Sequence, residues 1–349
     1  MNASAAVTVA CSYDHTACVS PEGFLYTFGG NTDGQLGTGD QIDRNLPTQV
    51  PQLTRILYVA CGWRYTICID SDKVCWGFGN NEHGQLGIGH RHNVIMPEQA
   101  IHLPPIHSVH CGERHTLFLS ENSALWGSGK NYGLGFKAKI AGISTPRKVP
   151  VPENIVDVSC GSDFSMIVNI VGNVLACGLD SNKLGLRLAN TVFEFTKIPS
   201  VKRIVSVSCS TYASVLVNNI GVCYCISSYN KNSTQAVRIQ QLPKVHKAVA
   251  NETGVYFIDE WNALWKLNPI RIRQQRYTVE QIAEIVDVQL ISIGGHHMII
   301  KHSGMVSVRG KNDRGQLGLD DTLSRYTYEE FPDAELIGRK ASRAKSARK

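Results

Sequence analysis

The chain has 349 residues, of which 43% are hydrophobic and 18% charged, a composition typical of a globular protein with an adequate core. No apolar run approaches the ~20 residues that a membrane-spanning helix needs, and the N-terminus lacks the charged region of a signal peptide. These features predict an intracellular protein, nuclear or cytoplasmic, without a membrane span. The odd total of eleven cysteines argues against a full disulfide framework.

The formal net charge of +6 comes from the C-terminus. Without the last eleven residues, the remaining 29 bases equal the 29 acids. We predict that residues 334–349 form a basic, disordered tail, either an import signal or an arm that binds chromatin or nucleic acid. The tail has no aromatic residue that could stack on bases. Its basic residues are Arg339, Lys340, Arg343, Lys345, Arg348 and Lys349.

Cysteines recur in the same local setting at positions 11, 61, 111, 160 and 209, in steps of 50, 50, 49 and 49 residues. A fixed period near 50 indicates similar supersecondary units that stack on one another. The cysteine occupies a small, apolar position in each unit. A free thiol is expected to behave there as a buried hydrophobe.

The first unit predicts three strands, Val7–Cys11, Ala17–Val19 and Phe24–Phe28, from alternating apolar residues and clusters of turn residues. A glycine-rich loop follows at 29–37. Leu36 is the single apolar residue near its end, so we expect this side chain to enter the core. A fourth strand is predicted to start at Pro47–Val50.

Later units repeat this pattern with increasing departures. The third has a shortened, irregular loop at Lys130–Gly135 in place of the Gly-Gln-Leu-Gly sequence. Units five and six, about residues 210–290, lose that sequence, and unit seven regains it at 315–318. The segment Thr278–Val286 is the one place where a short helix is predicted.

Each unit provides about four short strands, and such a unit cannot bury both of its faces alone. Radial stacking of seven units solves this problem and leaves only short, protected edges. The sequence therefore predicts an all-β propeller over residues 1–333.

The sequence Cys-Gly-x-x-His-Thr, followed by Trp-Gly-x-Gly-x-Asn and Gly-Gln-Leu-Gly, resembles the repeat of the regulator of chromosome condensation (RCC1) family. The resemblance covers roughly residues 5–333 and is weak between 210 and 290. It implies a seven-bladed RCC1-like propeller, with blades of four short antiparallel strands. It also implies that the N- and C-terminal strands, Val7–Cys11 and Tyr326–Phe331, close the ring by sharing a blade.

For function, the resemblance implies a guanine-nucleotide exchange factor for a small GTPase, Ran-like or Rab-like. In the family's exchange factor, the loop of the third repeat and acidic turn residues contact the GTPase, and a histidine in a later blade supports them. The matching candidates here are Glu113, Lys130, Asn131, Tyr132 and Asp163, whereas the later histidine has no clear counterpart. Alternatively, Glu113 and Asp163 cap their own turns.

Two other functions stay open, a non-catalytic interaction propeller (adaptor or scaffold) and docking to histones or chromatin through the tail. A basic segment with Lys266, Arg271, Arg273 and Arg276 is either a docking patch for an acidic protein or a solvated loop. No nucleophile–base arrangement, phosphate loop or zinc-type spacing is found, so no covalent catalysis, cofactor or metal is expected.

Overall fold

The chain forms a ring of seven blades, each a four-stranded antiparallel sheet in simple meander order. The computed structural model describes residues 8–137, 142–151, 154–179, 183–186, 191–227, 235–252, 254–268 and 277–337. The first strands of neighbouring blades contact each other and surround the central axis, and the fourth strands lie at the rim. The predicted fold class, an all-β propeller with seven blades, is confirmed.

The strands are named in chain order, four to a blade. They are β1 Val9–Cys11, β2 His15–Val19, β3 Leu25–Gly29 and β4 Arg44–Gln49 in blade one; β5 Ile56–Gly62, β6 Tyr65–Asp70, β7 Cys75–Gly79 and β8 Val94–Gln99 in blade two; β9 Ile106–Cys111, β10 His115–Ser120, β11 Leu125–Gly129 and β12 Ile143–Lys148 in blade three; β13 Ile155–Cys160, β14 Phe164–Asn169, β15 Val174–Gly178 and β16 Val192–Lys197 in blade four; β17 Ile204–Cys209, β18 Ala213–Asn218, β19 Cys223–Ser227 and β20 Val237–Arg238 in blade five; β21 Val245–Ala250, β22 Val255–Asp259, β23 Leu264–Asn268 and β24 Thr278–Gln281 in blade six; and β25 Val288–Ile293, β26 His297–His302, β27 Met305–Gly310 and β28 Arg325–Glu330 in blade seven.

The predicted helix at Thr278–Val286 is wrong. Its first four residues form β24, which pairs antiparallel with β23, and Trp265 lies opposite Gln281. Two β-branched residues, Thr278 and Val279, favour the pleated conformation, and the neighbouring strand supplies the hydrogen bonds that an isolated helix would have to make internally. No helix in the described ranges has the length and apolar character to cross a bilayer.

The ring closes where the two ends of the chain meet, but no blade is shared. β1 is the innermost strand of a complete blade one, and β28 is the outermost strand of a complete blade seven. Packing between whole blades therefore replaces the shared blade that the resemblance implied. The Cys11 amide donates to Ser292 Oγ at 3.0 Å, and the rings of Phe28 and Phe331 stack 5.8 Å apart.

The packed body also extends past the predicted boundary at 333. Residues Ala334–Ile337 form a turn of 3-10 helix, and both Ala334 and Ile337 are buried against the core between blades one and seven. The six basic residues of the predicted tail lie outside the described residues.

Separate apolar clusters fill the space between neighbouring blades. Four of them contain a leucine from a glycine-rich loop, and Leu36 of the first loop is buried as predicted. Five such leucines are completely buried: Leu36, Leu86, Leu134, Leu184 and Leu317. Each loop therefore fastens its blade to the core, and its asparagine and glutamine, such as Asn31 and Gln35, are buried with the leucine.

The blades are also joined by buried side-chain hydrogen bonds at the start of the second strands. A histidine or tyrosine of one blade reaches a hydroxyl or carbonyl of the next. The contacts are His297 Nε2 with Thr16 Oγ1 (2.8 Å), His15 Nε2 with Thr66 Oγ1 (2.9 Å), Tyr65 Oη with the His115 carbonyl (2.7 Å) and His115 Nε2 with Ser165 Oγ (2.8 Å). We call this series the interblade chain; it runs from blade seven through one, two and three to blade four.

The threonines of this chain bond in both directions around the ring. Thr66 Oγ1 donates to the Gln35 carbonyl at 2.8 Å, and Thr16 Oγ1 donates to that of Gln316 at 2.9 Å. A hydroxyl has one hydrogen, and the threonine already donates it to the carbonyl. The histidine Nε2–H must therefore be the donor in the bond between the histidine and the threonine. His297 is therefore the Nε2–H tautomer. Burial lowers the pKa of His297 to about 3 and that of His115 to about 4, so both rings are neutral at physiological pH.

The recurring cysteines are half-buried in the wall around the central axis rather than inside the core. Their thiols bond to the neighbouring blade: Cys61 Sγ donates to the Ala10 carbonyl at 3.5 Å, and Cys160 Sγ donates to that of His110 at 3.4 Å. Desolvation raises the pKa of Cys11 to about 11 and that of Cys111 to about 12. These thiols therefore stay protonated at neutral pH. By contrast, Cys223 and Cys225 are core residues.

We predict that Leu86→Ala lowers the free energy of unfolding by about 3 kcal/mol, because it leaves a cavity between blades two and three. The measurement is urea denaturation followed by circular dichroism. Leu323→Ala is the control, since Leu323 is 68% exposed, and it should change stability by less than about 0.5 kcal/mol. Equal losses would contradict the insertion of the loop into the core.

Acid should weaken the interblade chain. Below pH 6.5, the ordinary pKa of histidine, this side chain is protonated in the unfolded chain. In the folded protein the buried ring of His297 stays neutral until the pH falls to about 3, because burial lowers its pKa. In that window the histidine lowers stability by about 1.4 kcal/mol for each pH unit of acidification. His297→Gln should reduce the slope of stability against pH by this amount. Thr16→Val keeps the titrating ring, so it should keep the slope. Parallel slopes for wild type and His297→Gln would refute the assignment.

Candidate functional site

The turns between the first and second strands of all blades lie on one face of the ring, which we call the cavity face. They surround a central cavity of about 650 Å³. The loops that leave the third strands begin at the same face, because each third strand is antiparallel to the second. The opposite surface, formed by the turns between second and third strands, is called the far face.

A rim of charged side chains surrounds the cavity. Within the described residues, five lysines and arginines of the rim are paired with acids from the same or a neighbouring blade. The pairs are Arg64–Asp33 (3.3 Å), Arg114–Glu113 (3.1 Å), Lys130–Asp163 (3.8 Å), Arg314–Asp43 (2.8 Å) and Lys311–Asp313 (2.8 Å). His296 Nε2 also lies 3.5 Å from Glu252. Exposed pairs of this kind contribute little to stability. Their arrangement instead gives the face alternating charge that a partner surface can complement.

Three of the predicted contact residues come together on this rim. Lys130, which directly follows β11, reaches across to Asp163 in the turn of blade four, and Glu113 lies in the neighbouring turn of blade three. Burial raises the pKa of Glu113; Asp163 raises it further, while Arg114 and Lys130 oppose the rise. Neither carboxylate caps its own turn among the described residues, because Glu113 pairs with Arg114 and Asp163 with Lys130.

The described part of the third-blade loop is compact. Residues Asn131–Gly133 form a 3-10 turn in which Asn131 and Gly133 are buried. The Asn131 amide donates to the Phe136 carbonyl at 3.2 Å. Tyr132 lies half-buried beside this turn, with Lys130 Nζ 4.6 Å from its ring centre and Phe193 6.3 Å away. Lys130 and Tyr132 can therefore meet a partner, whereas Asn131 holds the loop in place.

The basic segment of blade six is described only in part. Lys266 is half-buried on β23, and its Nζ lies 5.9 Å from the ring centre of Tyr256. Arg271, Arg273 and Arg276 lie outside the described residues. No group of three His, Cys, Asp or Glu side chains in the described ranges is arranged to hold a metal ion.

Most of the rim is not predicted from the sequence. The predicted contact residues include the two variable positions of Cys-Gly-x-x-His-Thr only in the third and fourth repeats, at Glu113 and Asp163. The same two positions hold Trp63 and Arg64 in blade two, and Arg64 and Arg114 lie 4.8 and 5.6 Å from the Trp63 ring. Comparing this dipeptide across all seven repeats would have found the charged turns.

The sequence pattern described as the regulator of chromosome condensation (RCC1) repeat matches residues 22–69, 74–119 and 125–168, and a second pattern of that description matches 56–85. The chain therefore carries RCC1 repeats. The matched repeats run from the turn before β3 in blade one to β14 in blade four, and the ring geometry extends the same architecture to the other strands and blades.

Solved RCC1-like propellers share this fold. Human WBSCR16 superposes with a TM-score of 0.75 at 20% identity, covering 88% of this chain and 93% of that one. Prp20p from Saccharomyces cerevisiae, which was described together with its binding properties to Gsp1p and histones, superposes with a TM-score of 0.76 at 16% identity, covering 92% and 86%. Yeast RCC1 (Prp20) bound to Kap60 gives a TM-score of 0.75 at 16% identity, covering 92% and 84%. At these identities the likeness concerns the fold.

We predict that Asn131→Ala destabilises the protein by about 1–3 kcal/mol, because a buried amide that organises the loop is lost. Lys130→Ala removes only a partly exposed ion pair, so it should cost less than about 1 kcal/mol. Urea denaturation of both variants tests the division between a structural residue and a contact residue. A larger loss for Lys130→Ala would reverse it.

Proposed function

We propose that this RCC1-repeat propeller is a guanine-nucleotide exchange factor for a small GTPase, with Ran the first candidate and Rab-type GTPases the next. One observation carries the proposal: Lys130, Glu113 and Asp163 converge on one part of the cavity face, where Tyr132 is also accessible. Those are the positions that the family resemblance assigns to GTPase contact. The nucleus or cytoplasm is the expected location.

Exchange requires that the factor bind the nucleotide-free GTPase more tightly than the loaded form. When nucleotide leaves, the lysine and backbone amides of the phosphate-binding loop lose their anionic partner. Glu113 is an incompletely hydrated carboxylate, so it gains from a new cation more than a fully solvated acid would. In this mechanism Glu113 and Asp163 replace the phosphates as partners of that lysine, while Lys130 and Tyr132 hold the surrounding surface. No covalent step is involved.

The proposed activity is tested by the release of a fluorescent guanine nucleotide from Ran and from a panel of Rab-type GTPases. Wild type should accelerate release from one of them, and Asp163→Ala or Glu113→Ala should reduce the acceleration by at least about tenfold, the effect of losing a charge pair across an interface. Replacement of 130–135 by Lys-Gly-Gln-Leu-Gly would test the loop in the same assay.

Glu121→Ala is the matched control for these variants. Glu121 also forms a salt bridge between blades two and three, with Lys73 at 3.0 Å, but on the far face. Its loss should leave exchange unchanged. Absence of acceleration with every GTPase would refute the proposal, and equal effects of Glu121→Ala and Asp163→Ala would remove the cavity face as its site.

The second candidate is a non-catalytic interaction propeller, including docking to histones. It is favoured by blades four to six, where the position of the interblade histidine holds Phe164, Ala213 and Gly254 and the polar chain is interrupted. The yeast neighbour that was described with histones supports the same candidate. Histone pull-down by the full chain, with the six tail bases changed to glutamine as the comparison, separates this function from exchange.

A further inference from the structure

The far face carries six turns of the same geometry, one in each of blades one to six. Each joins the second and third strands, the amide of its fourth residue donates to the carbonyl of its first, and its fourth residue has a positive φ. The turns are 20–23, 70–73, 120–123, 169–172, 218–221 and 259–262. The third residue of each therefore occupies an equivalent position at the tip of a hairpin.

Chemistry at this tip position changes halfway around the ring. Blades one to three place polar residues there, Glu22, Asp72 and Asn122. Blades four to six place apolar residues there: Val171 is 68% exposed, Ile220 62% and Trp261 70%. Because the turns share one backbone geometry, the fold itself does not require apolar tips. Isolated exposed apolar residues need no explanation, but three at equivalent positions in consecutive blades do.

The apolar tips belong to one continuous surface. Backbone hydrogen bonds join each turn to the segment that enters the next blade, with Ile204 N to Gly172 O at 3.1 Å and Val245 N to Gly221 O at 3.0 Å. The same segments also bond to the far-face turn of the blade they enter: Glu260 N, in the turn of blade six, donates to Lys244 O at 2.9 Å. We call this surface the apolar arc. Its apolar members are Ile170, Val171, Ile220 and Trp261.

Cations lie between the tips of the apolar arc. Lys202 and Arg203 are exposed between the tips of blades four and five, and neither has an ion-pair partner among the described residues. Lys244 lies between the tips of blades five and six, 3.7 Å from Glu260. In the other half of the far face Arg55 pairs with Asp72 and Lys73 with Glu121, as Lys244 does with Glu260, so Lys202 and Arg203 are the cations that distinguish the apolar arc.

We propose that the apolar arc is a peripheral docking surface for a membrane that contains anionic lipid. Its side chains project from convex hairpin tips, and a lipid interface can deform to accept such tips without a matching groove. Apolar side chains below the headgroups, with lysine and arginine at headgroup level, are the chemistry of interfacial membrane binding. Tryptophan, as at position 261, favours that boundary.

This docking leaves the cavity face directed away from the membrane and free for a protein partner. The two faces use different residues, so the membrane proposal does not depend on nucleotide exchange. An acidic protein with apolar hollows is the alternative occupant, and the experiment below is designed to distinguish it.

The test measures sedimentation of the full chain with phosphatidylcholine vesicles that contain phosphatidylserine, beside vesicles of phosphatidylcholine alone. The triple variant Val171→Ser, Ile220→Ser, Trp261→Ser should bind the anionic vesicles at least about tenfold more weakly than wild type, because it removes the inserted side chains. The matched control makes charge-preserving changes at the equivalent polar tips, Glu22→Asp, Asp72→Glu and Asn122→Gln. It should bind like wild type.

The basic tail is present in wild type, the triple variant and the control, so its attraction to anionic lipid is common to them.

A second measurement reports whether the side chain of Trp261 enters the bilayer. Brominated phosphatidylcholine should quench the tryptophan fluorescence of wild type, and Trp261→Phe should lose most of that quenching. Matching melting temperatures show that the variants fold. Equal vesicle binding by wild type and the triple variant, or no quenching that depends on Trp261, overturns the proposal. No vesicle binding also overturns it.

Discussion

The interblade chain is the constraint that sets how blade seven and blades one to four are arranged relative to one another. A histidine or tyrosine at the start of one second strand reaches the hydroxyl or carbonyl of the next blade, and a threonine returns a bond to the preceding glycine-rich loop. Both partners are buried, so each bond satisfies polar groups that would otherwise cost free energy. The chain fixes the angle between blades at the level of the turns. It therefore also fixes where the cavity-face side chains lie relative to one another.

Blades four to six show what happens when these bonds are absent. Apolar clusters fill the space there, as they do between the other blades, with Phe164 and Leu216 between blades four and five, and Val215 and Phe257 between five and six. Hydrogen bonds from backbone amides to serines also join these blades, from Cys209 N to Ser159 Oγ at 2.9 Å and from Ala250 N to Ser208 Oγ at 3.0 Å. Apolar packing depends on shape and area rather than on one donor and one acceptor, so it tolerates more sequence change. The weakening of the repeat in this part of the chain thus removes the histidine and tyrosine bonds and leaves the architecture unchanged.

Blades four to six also differ from blades one to three on the far face. The cavity face carries paired charges in most blades around the opening, which suits a protein surface of complementary charge. The far face is divided: paired charges in blades one to three, apolar tips with intervening cations in blades four to six. One ring thereby offers two surfaces of different chemistry. Rigid blades keep them about a blade height apart, so occupation of one surface leaves the other accessible.

The sequence by itself determined the repeat, the all-β class, the seven blades and the buried loop leucines, because these follow from local turn residues and a fixed period that every blade expresses. It also selected Glu113, Lys130 and Asp163 through the family resemblance. Tertiary structure alone decided three other matters. β24 is a strand because β23 supplies its partner; the ring closes between complete blades because the first and last strands each find a place in their own sheet; and the charged rim and the apolar arc exist because residues about 50 positions apart are brought side by side. A linear pattern shows which residues recur, but only the closed ring determines which of them share a face.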